Sequence, residues 1–139
     1  MYTNILIPMD PDHADLFPAQ VEAAEKLLSS GGRISVLYVN PNYTHSLMAA
    51  TTPDKPTEVE QAVLDQVIER FETCVSEALR GQVYSQRGVV HDQVLRVAGR
   101  IQADLIIMAA CKKPLERYFL GSNTRKVTAD AKCAVLVQR

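Results

Sequence analysis

The stretch that decides the fold begins with residues 103–108, which read Ala-Asp-Leu-Ile-Ile-Met. A basic loop follows, and then residues 118–123 read Tyr-Phe-Leu-Gly-Ser-Asn. This order predicts a buried strand, a loop, a helix over residues 122–131 and a last strand within 133–137. A helix that opens with Gly-Ser after such a loop is typical of an anion site, because its first backbone N–H groups are unpaired. The same pair also serves as an ordinary turn or helix cap, and that alternative stays open.

The rest of the chain repeats the alternation of apolar strands and amphipathic helices. Strands are predicted at residues 5–9, 34–39, 82–87 and 105–108, and helices at 16–28, 58–79 and 89–102. The first helix is expected to end at Gly31 and Gly32, and residues 41–57 to form a long loop. Alternation of this kind predicts a mainly parallel sheet covered by helices on both faces. The ligand crevice of such a sheet lies at the carboxyl ends of its strands.

Length, charge and cysteine content exclude several classes of protein. A length of 139 residues predicts one domain over 1–139, and a net charge of −1 argues against a nucleic acid or an anionic membrane as partner. No apolar run reaches the length of a membrane span, and the first residues show no signal-peptide pattern. Three cysteines without a Cys-x-x-Cys pair predict neither a disulfide framework nor a metal site. We therefore expect a cytoplasmic protein.

Several segments together resemble one family. These segments are residues 4–10, 35–39, 88–95, 103–108 and 118–137. Through them the chain resembles the universal stress protein family over essentially its whole length. The resemblance implies a flavodoxin-like fold, of the adenine nucleotide alpha hydrolase-like type, with five parallel strands in the order 3-2-1-4-5. It also implies a stress-response protein that forms a homodimer through its last strand. Many members of the family bind ATP or another adenine nucleotide.

The glycine pattern of ATP-binding members is only partly present. Those members usually show Gly-x-x-Gly, a spacer and then Gly-Ser or Gly-Thr. Ala109 stands at the first glycine, the second falls near Lys112, and Gly121-Ser122 is intact. Lysine lacks the conformational freedom of glycine at positive φ. The intact pair favours an ATP-binding sensor or regulator, whereas the missing glycines favour a nucleotide-free, dimeric interaction module of the same fold.

The resemblance assigns a nucleotide site residue by residue. Its members are Pro8, Met9, Asp10, Val39, Ala109, Lys112, Lys113, Gly121, Ser122 and Asn123. The first four would contact base and ribose, with Asp10 also able to help hold Mg²⁺, and the others would surround the phosphates. Each has an ordinary alternative: a turn or cap for Asp10, core packing for Pro8, Met9 and Val39, and a solvated loop for the two lysines.

The sequence shows no recognisable arrangement of catalytic residues. The three histidines, His13, His45 and His91, show no orienting carboxylate at a readable spacing, and His91 is expected to contact solvent only. Without a general base, any ATP hydrolysis should be slow. Cys111 lies beside two lysines that would favour a reactive thiolate, with an ordinary partly buried thiol as the alternative.

The end of the chain carries a physical argument for assembly. Val135, Leu136 and Val137 would form an exposed, apolar edge strand in a monomer. Edges of this kind pair readily with another strand. Antiparallel pairing with a second copy would bury the edge in a two-fold interface.

Overall fold

Strands and helices alternate along the chain. The computed structural model describes residues 1–41, 56–110 and 121–139. The strands are β1 (Tyr2–Pro8), β2 (Leu28–Asn40), β3 (Arg80–Arg87), β4 (Leu105–Ala109) and β5 (Ala134–Gln138). The α-helices are α1 (Phe17–Leu27), α2 (Glu58–Cys74), α3 (Val90–Arg100) and α4 (Ser122–Asp130). Two 3-10 helices, Pro11–Leu16 and Glu77–Leu79, lead into α1 and β3.

The strands form one parallel sheet in the order β3-β2-β1-β4-β5. The predicted fold class and the order 3-2-1-4-5 are therefore confirmed. The central strand β1 pairs with β2 on one side and β4 on the other. Because the chain first builds outward through β2 and β3 and then returns to the far side of β1, the strand order reverses between β1 and β4.

Side chains of each central strand alternate between two cores. Ile5 and Ile7 of β1 face one core, and Leu6 faces the other. The first core also contains buried residues of α1 and α2, and the second contains buried residues of α3 and α4. Helices thus cover both faces of the sheet, which explains why the buried middle of β1, residues 5–7, and the whole of β4 are apolar.

The expected end of the first helix is wrong. α1 ends at Leu27, and the chain enters β2 at Leu28. Gly31 and Gly32 lie inside β2, beside a shift in its pairing with β1. Gly31 has a φ of +81°, a conformation that glycine adopts without the steric cost of a side chain. The glycine pair therefore allows an irregular stretch within β2. Glycine is found at β-bulges as well as at helix ends.

Other boundaries differ from the predicted ones by a few residues. The long helix predicted to reach residue 79 ends at Cys74 and is followed by the 3-10 helix Glu77–Leu79. The turn predicted at Gly88 is present, with a φ of +129° between β3 and α3. None of the helices in the described part of the chain is long and apolar enough to cross a membrane.

Candidate functional site

A cleft of about 840 Å³ opens at the carboxyl ends of the strands. Most of its described lining comes from the ends of β1, β2 and β4, from the 3-10 helix Pro11–Leu16 and from the start of α4, and α1, α2 and α3 contribute one residue each. The cleft therefore lies where the strand order reverses, the position at which open α/β sheets bind ligands.

The structure brings most of the predicted site residues into this cleft. Those that line it are Pro8, Met9, Asp10, Val39, Ala109, Gly121, Ser122 and Asn123. The phosphate-binding role expected for Lys112 and Lys113 falls outside the described residues, as do Cys111 and His45.

The wall formed by β1 and β2 is mostly apolar. Met9 and Val39 are almost fully buried and belong to the two cores as well as to the cleft wall. The backbone N–H of Met9 donates to the Leu37 carbonyl at 2.9 Å, which holds the chain beside β2 after β1 has ended. Core packing and a place on the cleft wall are thus combined in the same side chains.

Asp10 caps the helix that follows it. Its Oδ1 accepts a hydrogen bond from the Asp12 N–H at 3.0 Å, and its Oδ2 lies 2.9 Å from His13 Nδ1. The carboxylate is nevertheless more than half exposed, with 61% of the side chain accessible. A carboxylate oxygen has more than one acceptor position, so Asp10 can cap the helix and still accept from a ligand hydroxyl.

The opposite wall of the cleft begins α4. Gly121 is the N-cap residue, with φ −58° and ψ 156°, and as a glycine it supplies no side-chain cap. The first hydrogen bond of the helix runs from the Arg125 N–H to the Gly121 carbonyl at 2.9 Å. The amides of Ser122 and Asn123 precede this bond, so they are available to an anion in the cleft.

Two contacts hold the start of α4 in place. Thr124 is buried, and its hydroxyl donates to the Ala109 carbonyl at the end of β4 over 3.4 Å. Asn123 reaches across to α3, where its Oδ1 accepts a hydrogen bond from the His91 N–H at 3.2 Å. Val127 then packs into the core below. These contacts link the start of α4 to β4 and to α3.

The expectation that no histidine has an orienting carboxylate is wrong. His13 Nδ1 lies 2.9 Å from Asp10, and His91 Nε2 lies 3.2 Å from Asp92 Oδ1. His91 is also not a purely solvent contact, because only 17% of its side chain is exposed and it meets Asn123. The spacing Asp-x-x-His after a strand could have indicated the first pair, since a helical turn brings residues three apart together.

A polar network at the ends of β2 and β3 was not foreseen. Glu60 accepts hydrogen bonds from Arg87 at 2.7 and 2.9 Å and from Asn40 at 3.0 Å. The Arg87 side chain is the main reason that the pKa of Glu60 is lowered to about 2. The capping-box pattern of Thr57 and Glu60 was readable from the sequence, but its partners on two strands were not.

Charges in the described part of the cleft are unevenly distributed. Asp10, Asp12 and His13 lie at the β1 end, and Arg125 lies at the α4 end. Tyr38 also lines the cleft. Burial raises the pKa of its hydroxyl, and repulsion from the charges of Glu60, Asp12 and Asp10 adds to this effect. Within the described residues, no group of three or more His, Cys, Asp or Glu side chains could hold a metal ion. The cleft thus combines an apolar wall, a carboxylate and a set of backbone donors.

Comparison with protein families shows where this architecture recurs. The family model described as "Universal stress protein family" matches residues 1–139. The universal stress protein G of Escherichia coli O157:H7 is 29% identical over 143 residues, covering 100% of both chains. The relationship therefore extends over the whole length of the chain.

Solved structures show the same fold at lower identity. Universal stress protein UspA of Lactobacillus plantarum superposes with a TM-score of 0.74 at 23% identity, covering 99% of this chain and 98% of that one. A universal stress protein of Archaeoglobus fulgidus in complex with dAMP gives 0.60 at 19%, covering 99% and 98%. Another universal stress protein, in complex with cAMP, gives 0.62 at 17%, covering 98% and 95%. Given the family match over residues 1–139, the chain belongs to the universal stress protein family.

Proposed function

We propose that this protein binds an adenine nucleotide, ATP in particular, and acts as a dimeric, cytoplasmic sensor or regulator in the stress response. The base and ribose lie against Pro8, Met9, Asp10 and Val39. The phosphates lie against Ala109, Gly121, Ser122 and Asn123, with Lys112 and Lys113 as neutralising charges.

One observation carries the proposal: the start of α4 faces a large cleft, and its N-cap residue is a glycine that supplies no side-chain cap. Unpaired amides and the positive end of the helix dipole together favour a phosphate group. An added Cβ at Gly121 would meet no described atom within 4 Å, so the space beside this residue is open to a ligand. A ligand can therefore approach the backbone closely.

Two related structures support the choice of an adenine nucleotide. One of them is a complex with dAMP and the other is a complex with cAMP. Both ligands carry an adenine and one phosphate, and the cleft of this protein offers an apolar wall for a base and amides for a phosphate. ATP extends the same arrangement by two further phosphates.

Magnesium would enter with the polyphosphate. Mg²⁺ prefers oxygen ligands and is usually held by phosphates and one or two carboxylates. Asp10 is the predicted site residue with an exposed carboxylate that would contribute. We assign no base that would activate water, so hydrolysis of ATP is at most slow.

The binding test compares two glycines that both have open space beside them. Nucleotide released from denatured protein is identified, and the melting temperature of refolded protein is followed with ATP and Mg²⁺. We expect ATP to raise the melting temperature, because a ligand that binds only the folded state stabilises it.

Gly121→Val should abolish this rise in melting temperature by filling the open space beside the amides. Gly99→Val is the matched control, because an added Cβ at Gly99 also meets no described atom and Gly99 is absent from the cleft lining.

The same measurement decides between this proposal and a nucleotide-free interaction module. The module is favoured by Asp10, whose oxygens already serve Asp12 and His13. No released nucleotide and no shift at millimolar ATP would establish the module. A shift that persists in Gly121→Val would mean that the phosphates bind elsewhere.

A further inference from the structure

His91 and Asn123 connect two helix starts. Asn123 belongs to the first turn of α4, and His91 belongs to the first turn of α3. Val89, the N-cap residue of α3, supplies no side-chain hydrogen bond to that helix. Asn123 Oδ1 instead accepts from the His91 N–H at 3.2 Å and lies 3.3 Å from His91 Nδ1.

This contact determines which way the Asn123 amide points. The oxygen and nitrogen of an amide look alike in shape, so their assignment depends on the partners. A backbone N–H can only donate, and the atom that it meets must therefore be the amide oxygen. Asn123 lines the cleft, so its Nδ2 group is the polar part of the side chain that remains for a ligand. A donor at this point suits a phosphate oxygen.

The imidazole of His91 strengthens the same orientation. Nδ1 can bond to the Asn123 oxygen only when it carries a proton, so a neutral ring that makes this bond holds its proton on Nδ1. Nε2 faces Asp92, whose side chain is 60% exposed. An exposed carboxylate contributes little to a pair of this kind. The less exposed contact with Asn123 should therefore decide which nitrogen is protonated.

We propose that His91 is a positioning residue for the phosphate end of the nucleotide site. The backbone N–H and the Nδ1–H of His91 both donate to the Asn123 oxygen. The NH₂ group of the same amide is thereby presented to a phosphate oxygen. His91 itself does not line the cleft within the described residues. The inference rests on the proposed nucleotide binding, and it adds that His91 selects phosphorylated ligands over the bare nucleoside.

The test measures what the phosphates add to binding. Dissociation constants for ATP with Mg²⁺ and for adenosine are measured by calorimetry on the full chain. In His91→Phe, which keeps a ring but loses the donor, we expect ATP binding to weaken about fivefold with adenosine binding unchanged, the effect of one ordinary hydrogen bond. His91→Asn places an amide donor near the position of Nδ1 and should restore the affinity for ATP. Asp92→Asn is the matched control and should leave the ratio of the two constants unchanged.

A double-mutant cycle separates positioning from a general structural effect. If His91 acts through Asn123, then His91→Phe should cost nothing further in the Asn123→Ala background. A loss that affects adenosine and ATP equally, or that adds to the effect of Asn123→Ala, would overturn the inference and leave nucleotide binding intact. A wild-type protein that binds no ATP would overturn the proposed function and this inference together.

The unmodified protein provides a second measurement that needs no variant to fold. Nitrogen-15 NMR of the His91 ring shows which nitrogen carries the proton when the ring is neutral. We expect a proton on Nδ1. A neutral ring protonated on Nε2 would overturn the inference, because Nδ1 could not then donate to Asn123.

Discussion

At the scale of single residues, the carboxylate of Glu60 lies in an environment that strongly favours its charged form. Only 12% of its side chain is exposed, and it accepts hydrogen bonds from Arg87, Asn40 and the Thr57 backbone. Hydrogen bonds to Arg87 outweigh the opposing effect of burial and lower the pKa of Glu60 to about 2. The charged form is therefore stabilised in the folded protein relative to the unfolded chain.

This environment predicts how stability depends on pH. The stabilisation from Glu60 is fully present above its ordinary pKa of 4.5 and is lost as the pH falls toward 2. Glu60→Gln should lower the free energy of unfolding by up to about 3 kcal/mol at pH 7, and the difference from wild type should shrink below pH 4.5. Urea unfolding at a series of pH values measures this. Glu58→Gln, at an exposed residue in the same turn, is the control. A difference that stays constant down to pH 2 would contradict the prediction.

At this scale, sequence reasoning found residues but not their partners. The family resemblance, together with the predicted ends of a strand and a helix, indicates that residues 8–10 and 121–123 share one site. The contact between His91 and Asn123 joins residues 32 apart, and that of Glu60 with Arg87 joins residues 27 apart. No periodicity or motif encodes such pairs, because they depend on how helices pack after the sheet has formed.

At the scale of elements, Asp104 joins the amino-terminal ends of β1 and β4. The cleft lies at the opposite, carboxyl ends of these strands. Its carboxylate accepts hydrogen bonds from the Thr3 N–H at 2.8 Å, the Thr3 hydroxyl at 3.1 Å and the Asn4 N–H at 3.0 Å. Burial opposes ionisation, but these hydrogen bonds outweigh it and lower the pKa of Asp104. Since β1 and β4 flank the cleft, this contact supports the frame in which the site is built.

Replacing Asp104 tests how strongly it holds the two strands together. Asp104→Asn leaves one acceptor for two backbone donors, and we expect a loss of about 1–3 kcal/mol in the free energy of unfolding. Amide hydrogen exchange at Thr3 and Asn4 should accelerate. The effect should be fully present above the ordinary carboxyl pKa and decrease in acid as Asp104 of the wild type becomes protonated. Asp130→Asn, at the exposed end of α4, is the control, and equal effects of the two variants would contradict the role of Asp104.

Elements were predicted well where their pattern was long or fully apolar. The amphipathic residues of α3 and the apolar run of β4 left little choice of structure. The boundary at Gly31 and Gly32 failed because glycine favours both a helix end and a bulge, and the pairing with β1 decides between them. Local sequence therefore predicts the type of an element better than its limits.

At the scale of the whole molecule, β5 leaves one edge of the sheet unpaired within the described chain. The Ala110 N–H donates to the Gln138 carbonyl at 2.9 Å, so the backbone groups of Gln138 point toward β4. Because these groups alternate in direction along a strand, those of Val135 and Val137 point outward. An edge with apolar residues and outward donors is well suited to pairing with a second copy.

The proposed homodimer can be tested at this edge by removing one outward donor. Val137→Pro eliminates an N–H that does not bond to β4, so the chain should keep its fold and lose its partner. We expect light scattering to give twice the chain mass for the wild type and the single chain mass for Val137→Pro. Val137→Ala is the matched control: it shortens the same side chain, keeps the N–H and should remain dimeric. A folded Val137→Pro variant that is still dimeric would show that the two copies meet on another surface, and a monomeric wild type would exclude the dimer itself.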